Sequence, residues 1–221
     1  MRYFQIDGWK ATGALFLFGG ESRATNPPSG QGFDGPEFIV YQSELDSGEI
    51  NFIMPASSWL NVSAGFRWVE LDEILQQTFF STGPSGTVIF NVDTDNHLYG
   101  FQMGADGLLV SRGSLDVNIF GKAGIYANVA EQTTTFTPVP AQGISDTDFA
   151  FLSELGVSTT LHMNSTWSIV AGYQVMWIEG VALAPDQIPN MSDANTGLVP
   201  AQLDMSGVFY QGGFISLMGT F

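Results

Sequence analysis

Along most of the chain, large apolar side chains alternate with small or polar ones. In "NHLYGFQMGADG" (96–107), Tyr99, Phe101 and Met103 share one side, while Gly100, Gln102 and Gly104 share the other. A period of two is the signature of a strand with two unlike faces. Such segments recur at 2–7, 10–18, 37–45, 49–55, 59–72, 97–112, 115–136, 149–163, 166–182 and 207–221, divided by clusters of Gly, Pro, Asn, Asp and Ser. They predict an all-β protein of about ten antiparallel strands, in a range of roughly 8–12. Only "VELDEILQQTFF" (69–80) hints at helical spacing, as one turn or as the continuation of a strand.

The connections bear on architecture. After residue 55 they alternate in length: "PASS" (55–58), "GS" (113–114) and "NS" (164–165) are tight, whereas 73–96, 137–148 and 183–206 are long. Earlier in the chain, 19–36 is long and "DSGE" (46–49) reads as another tight turn. A barrel crossing an outer membrane keeps short turns at one end and long loops at the other. The expectation is one domain over 1–221, an up-and-down transmembrane β-barrel, with 1–44 the stretch least shaped by the pattern. No apolar run reaches the 18 residues of a membrane-crossing helix, and "MRYFQIDGWKATGALFLFGG" does not read as a signal peptide.

In such a barrel the apolar face meets lipid and the polar face lines the lumen. The aromatics expected to face lipid are Phe66, Trp68, Tyr99, Phe101, Phe151, Trp167, Tyr173 and Trp177. Their opposite faces pool Arg67, Gln102, Asp106, Lys122, Glu154 and Gln174 as a lumen charge network. A charge aimed at lipid costs roughly 2–4 kcal/mol at the midplane, so Arg67 and Lys122 belong inside, beside the acids. Phe221 ends an amphipathic closing strand and has the form of a barrel-assembly signal.

Composition narrows the function. Charged residues are 13% of the chain, about half the share in soluble domains, so the surface is not built for water alone. The net charge is −16, six basic side chains against 22 acidic ones, which excludes nucleic acid as a partner. Without cysteine there is no disulfide framework, thiolate zinc site or cysteine nucleophile. "DTDNH" (93–97) offers Asp93 and Asp95 as a fragment of a calcium loop, but the third oxygen ligand, the glycine and the distal glutamate are missing. No metal or other cofactor is expected beyond a loosely bound divalent cation. The two histidines, His97 and His162, lie far apart in sequence and no serine sits in an elbow motif, so no enzyme is expected.

Several segments carry a family likeness: "SSWLNVSAGFRWVELDE" (57–73), "NHLYGFQMGADGLL" (96–109), "GKAGIYAN" (121–128), "FLSELGVSTTLHMNSTWSIVAGYQVMWIEGVALAPDQ" (151–187) and "VFYQGGFISLMGTF" (208–221). Over about 45–221 the chain resembles the planctomycete outer-membrane beta-barrel porin-like family. The resemblance implies a barrel in the outer membrane of a Gram-negative-type envelope and brings no catalytic motif with it. The function expected is structural or passively permeable, with acidic external loops. The partners expected are outer-membrane lipid, the barrel-assembly machinery and, in an assembled form, further copies of the chain. The alternative is a soluble extracellular β-rich protein that self-assembles into a surface or fibre structure.

Overall fold

A computed structural model describes residues 2–16, 36–80, 87–136, 139–188 and 202–219. Every regular element among them is a strand: β1 (Arg2–Phe16), β2 (Pro36–Pro55), β3 (Leu60–Phe80), β4 (Thr87–Arg112), β5 (Leu115–Phe136), β6 (Val139–His162), β7 (Trp167–Ala182) and β8 (Met205–Gly219). They form one antiparallel sheet in sequential order, β1 to β8. The sheet curls so that side chains of β2 and β8 meet across its inside, with Ser43 Oγ of β2 lying 3.3 Å from Tyr210 Oη of β8. Among the described residues no ladder joins β1 to β8.

Eight strands replace ten because two expected breaks are crossed by continuous strand. In β2 the "DSGE" stretch stays paired, Asp46 with Glu70 and Gly48 with Trp68. Gly48 is there for contact rather than for a turn, since a Cβ at that position would stand 1.7 Å from the Trp68 ring. In β1 the second break is absorbed as a register shift between Ile6 and Trp9.

Two of the expected long loops are also strand. Residues 73–80, 87–96 and 139–148 extend β3, β4 and β6, and 69–80 is strand throughout. Apart from Ile74 and Ile89, their outward positions are mostly acidic, polar or small, which gives them the composition of a loop. The 19–36 connection lies outside the described residues, and of 183–206 the described parts are 183–188 and 202–206. The tight turns lie where expected. Gly113 adopts φ +61° in the two-residue β4–β5 turn, and Asn164 Oδ1 accepts the N–H groups of Thr166 and Trp167 at 2.9 and 2.8 Å.

Strand length decides what the sheet can do. β4 has 26 residues, whereas about 9–11 tilted residues cross a bilayer. The sheet therefore has a lower zone, at the turn end, and an upper zone beyond it. In the lower zone the outward positions are Phe66, Phe101, Ile125, Phe151 and Ile215, with Phe101 and Ile215 each 77% exposed. In the upper zone they include Glu44, Asp72, Asp95 and Glu131, with Ile74 and Ile89 as apolar members. The interior changes in the opposite sense, from charges below to a cluster of Leu71, Leu98, Leu152 and Ile178 and, higher, Leu75, Phe90 and Val92.

Candidate functional site

The lower interior is built around Arg67. β3 turns its side chain inward between the outward Phe66 and Trp68, and neither it nor its partner Glu154 exposes any surface. Nη1 of Arg67 donates to Glu154 Oε2 at 2.9 Å across the curl of the sheet, from β3 to β6. Nε donates to Ser47 Oγ of β2 at 2.8 Å, and Nη2 lies 3.6 Å from the Met176 sulfur of β7. One guanidinium thus ties four strands, which suits its planar fork of donors.

A second pair lies beside the first. Lys122 Nζ of β5 donates to Glu49 Oε1 of β2 at 2.5 Å. Gln102 of β4 donates to Glu49 Oε2 at 2.5 Å and to Asn51 Oδ1 at 3.0 Å, and accepts from Tyr126 Oη at 3.3 Å. Two cations and two carboxylates make the cluster neutral, the condition under which charges tolerate burial. Gly100 and Gly124 clear room for Tyr126, because a Cβ on either would meet its ring or hydroxyl at 2.8 Å.

Of the six residues expected in this network, Arg67, Gln102, Lys122 and Glu154 come together. Asp106 does not join them: it is exposed near the turn end and accepts from Asn61 at 3.1 Å. Asp106 and Gln174 line a cavity of about 1290 Å³ along the inner face of β8, with Lys122, Met176, Tyr210 and Phe214. Sequence reasoning missed Glu49 and Ser47, because reading 46–49 as a turn removed them from any face. It missed Tyr126 as well, an inward aromatic of β5, because large aromatics were looked for on the lipid face and not in the lumen.

The aromatics expected to face lipid do point outward. Phe66 and Phe101 meet edge to face, with centroids 5.9 Å apart. Tyr173 Oη donates to Gln211 Oε1 on the same outer surface at 2.9 Å. Trp68 is the half-buried exception, folded over Gly48. Phe221 lies outside the described residues.

Asp93 and Asp95 stand on the outer face of the upper zone. Asp93 accepts from Asn91 at 2.8 Å, and its carboxyl is held above the usual range by partial burial and by Asp95. Asp95 belongs to a lateral row of carboxylates at one level, Glu44 opposite Asp72, Asp72 opposite Asp95 and Asp95 opposite Glu131. Among the described residues no three such groups converge as metal ligands.

The upper interior holds amides. The end of β7 bends inward at Gly180, whose φ of +84° suits glycine and where the ladder with β8 shifts register, and it leads the β7–β8 connection into the interior. Asn96 Oδ1 accepts the Ala182 N–H at 2.8 Å while its Nδ2 donates to the Ala182 carbonyl at 2.9 Å. Asn128 donates to Asn96 Oδ1 and to the Gly180 carbonyl, both at 3.0 Å. Glu73 Oε2 accepts the Ala184 N–H at 3.0 Å, and its other oxygen accepts the Tyr41 hydroxyl. Burial raises the Glu73 carboxyl above its usual value against these bonds, and raises the Tyr41 phenol as well.

At the turn end, three residues from different strands form a hydrogen-bonded chain that sequence spacing did not show. His162 Nδ1 lies 2.9 Å from Ser168 Oγ, and His162 Nε2 lies 2.8 Å from Asp116 Oδ2. The Asp116 carboxyl is held below its usual value by hydrogen bonds from Ser111 and His162. An acyl-transfer site also needs N–H donors aimed at a developing oxyanion. Ser168 sits in a straight strand paired with both His162 and Met218, so the ladders on its two sides use the neighbouring N–H groups. The chain Ser168–His162–Asp116 therefore reads as a clasp on the β4–β5 and β6–β7 turns.

No curated protein and no solved structure matches the chain. A family model described as Putative beta barrel porin-7 matches residues 33–207, well over half of the sequence. The match begins before the stretch in which the family likeness was expected, and covers the charged interior, the apolar outer band and the inward-bent connection. With its sequential antiparallel sheet, lipophilic outside and charged inside, the chain belongs to this beta barrel porin family.

Proposed function

We propose that the chain is an outer-membrane wall protein whose lumen is closed at mid-height, with a structural rather than a conducting role. The observation that carries this is the fully buried Arg67–Glu154 pair, joined to Lys122–Glu49 across the inside of a sheet whose outside is apolar at the same level. Charges placed in that way suit a lumen and would be excluded from lipid. Tyr126, Leu152 and Met176 pack around the Arg67–Glu154 pair, and the cavity of about 1290 Å³ that Lys122 and Met176 line lies to the side of it along β8. The turn end would face the periplasm and the acidic upper zone the outside, with outer-membrane lipid and the barrel-assembly machinery as partners. Neither the family nor the turn-end clasp supplies a catalytic constellation, so the reading is non-enzymatic.

Two measurements test it. Extracted membrane protein, run on a denaturing gel with and without boiling, should shift in mobility as a folded barrel does. Reconstituted in planar bilayers, it should show no steady unitary current. Solubility without detergent would sink the membrane reading, and regular conductance steps would sink the closed lumen.

A further inference from the structure

The inward-bent segment carries an inference of its own. Ala182 and Ala184 expose no surface; Ala184 packs among Leu75, Phe90 and Val92, and Ala182 with Ala130 and Leu203. Gln187 closes the segment on itself, accepting the Asp204 N–H at 3.0 Å and donating to the Asp204 carbonyl at 2.6 Å. The connection therefore sits inside the upper mouth as a packed unit. Gly180–Ala182 is the end of β7, laddered to β8 through Val181–Ser206 and Ala182–Met205 and held by Asn96 and Asn128; beyond it the segment meets the wall through Glu73, through Asp186 with Ser206 Oγ, and through the apolar contacts of Ala184.

The docked unit also leaves polar atoms unsatisfied. Thr94 Oγ1, Asn128 Oδ1 and Gln132 Oε1 are buried without a hydrogen-bond partner. Thr94 and Gln132 face each other across the β4–β5 ladder, on the inward rows that carry Asn96 and Asn128. Buried acceptors without donors oppose burial, and water entering the mouth would satisfy them. Docking is thus favoured by the Glu73 bond and the apolar packing of Ala184, and opposed by these unsatisfied atoms.

We infer that Leu183–Gln187 is a releasable stopper of the upper mouth, hinged at the end of β7 that Asn96 and Asn128 hold and latched by Glu73, whose withdrawal hydrates the buried Thr94, Asn128 and Gln132 side chains. The inference rests on the closed-lumen reading only in that the space so hydrated is blind.

The chain has no cysteine, so a single Ala184→Cys variant reports on the stopper alone. With a charged, membrane-impermeant maleimide, Ala184→Cys should react far more slowly than the exposed control Thr147→Cys. Adding Asn96→Ala and Asn128→Ala should raise its rate about ten-fold or more, with heat-dependent gel mobility retained. If that variant fails to fold, Glu73→Gln, which keeps size and one acceptor, should still raise the rate about three-fold. Reaction of Ala184→Cys at the control rate in the parent overturns the inference. So does unchanged protection in every hinge or latch variant that folds. Current through the parent in the same preparation would overturn the closed lumen instead, leaving the labelling result to judge the stopper.

Discussion

The lower and upper zones use the same alternating strands with opposite results. On β3, Phe66 and Trp68 point outward and Arg67 inward; a few residues on, Asp72 points outward and Leu71 and Leu75 inward. On β4 the change runs from outward Phe101 with inward Gln102 to outward Asp95 with inward Val92. The backbone pleat is the same in both, so the sign of each face reports the medium outside it. Below, the outer face is apolar and the charged groups turn in; above, the outer face carries carboxylates and the interior mixes apolar side chains with the amides of Asn96, Asn128 and Gln132. The boundary runs close to Trp68, Tyr99 and Trp177, aromatic side chains that suit a membrane–water interface.

The contrast can be broken first at the buried pair. Arg67→Leu leaves Glu154 as an unpaired charge inside and should cost about 3–5 kcal/mol, whereas Arg67→Leu with Glu154→Leu should recover most of it. Urea unfolding in detergent measures both, and equal losses would deny the coupling.

Next comes one substitution made in both zones. Phe101→Arg should cost about 2–4 kcal/mol in a bilayer and impair assembly, while Ile74→Arg, outward among Asp72 and Asp93, should change stability by less than about 0.5 kcal/mol. Refolding yields into lipid vesicles decide this, and similar losses at the two sites would erase the boundary. Phe151→Leu, apolar for apolar on the lipid face, should be mild by the same assay.

The smallest effect concerns the acidic row. The Asp72 carboxyl is held above its usual value, by partial burial first and then by Asp95, Glu70 and Glu44, with His97 opposing. The folded state thus favours its protonated form. The stability linked to that form is present below the usual carboxylate pKa and lost as pH rises through the raised one. Asp72→Asn should therefore stabilise at neutral pH by roughly 0.2–1 kcal/mol, and the gain should vanish as pH falls through the carboxylate range. Thermal melts of the two proteins across that range test the sign.

Much of this was legible in the sequence because strands with an apolar outer row carry a strong signal: Phe101, Ile125 and Phe151 cannot be mistaken for loop. The upper extensions at 73–96 and 137–148 were read as loops since Asp93, Asp95, Asp146, Asp148 and their neighbours have loop composition, and there the apolar outer row gives way to carboxylates. Gly48 punctuated the sequence like a turn until the Trp68 ring came to lie over it.

By itself, then, the sequence determined the antiparallel β class, the inward and outward faces of the lower strands, the tight turns and the absence of thiol chemistry. Those are consequences of neighbours along one chain. The tertiary structure decided which charges meet. It paired Arg67 with Glu154, 87 positions away, and Lys122 with Glu49, 73 away, left Asp106 at the rim, and folded Ala182–Gln187 into the mouth. A strand's period fixes the side on which a residue stands. Its partner across the lumen depends on how far the sheet curls, and that follows from all the strands together.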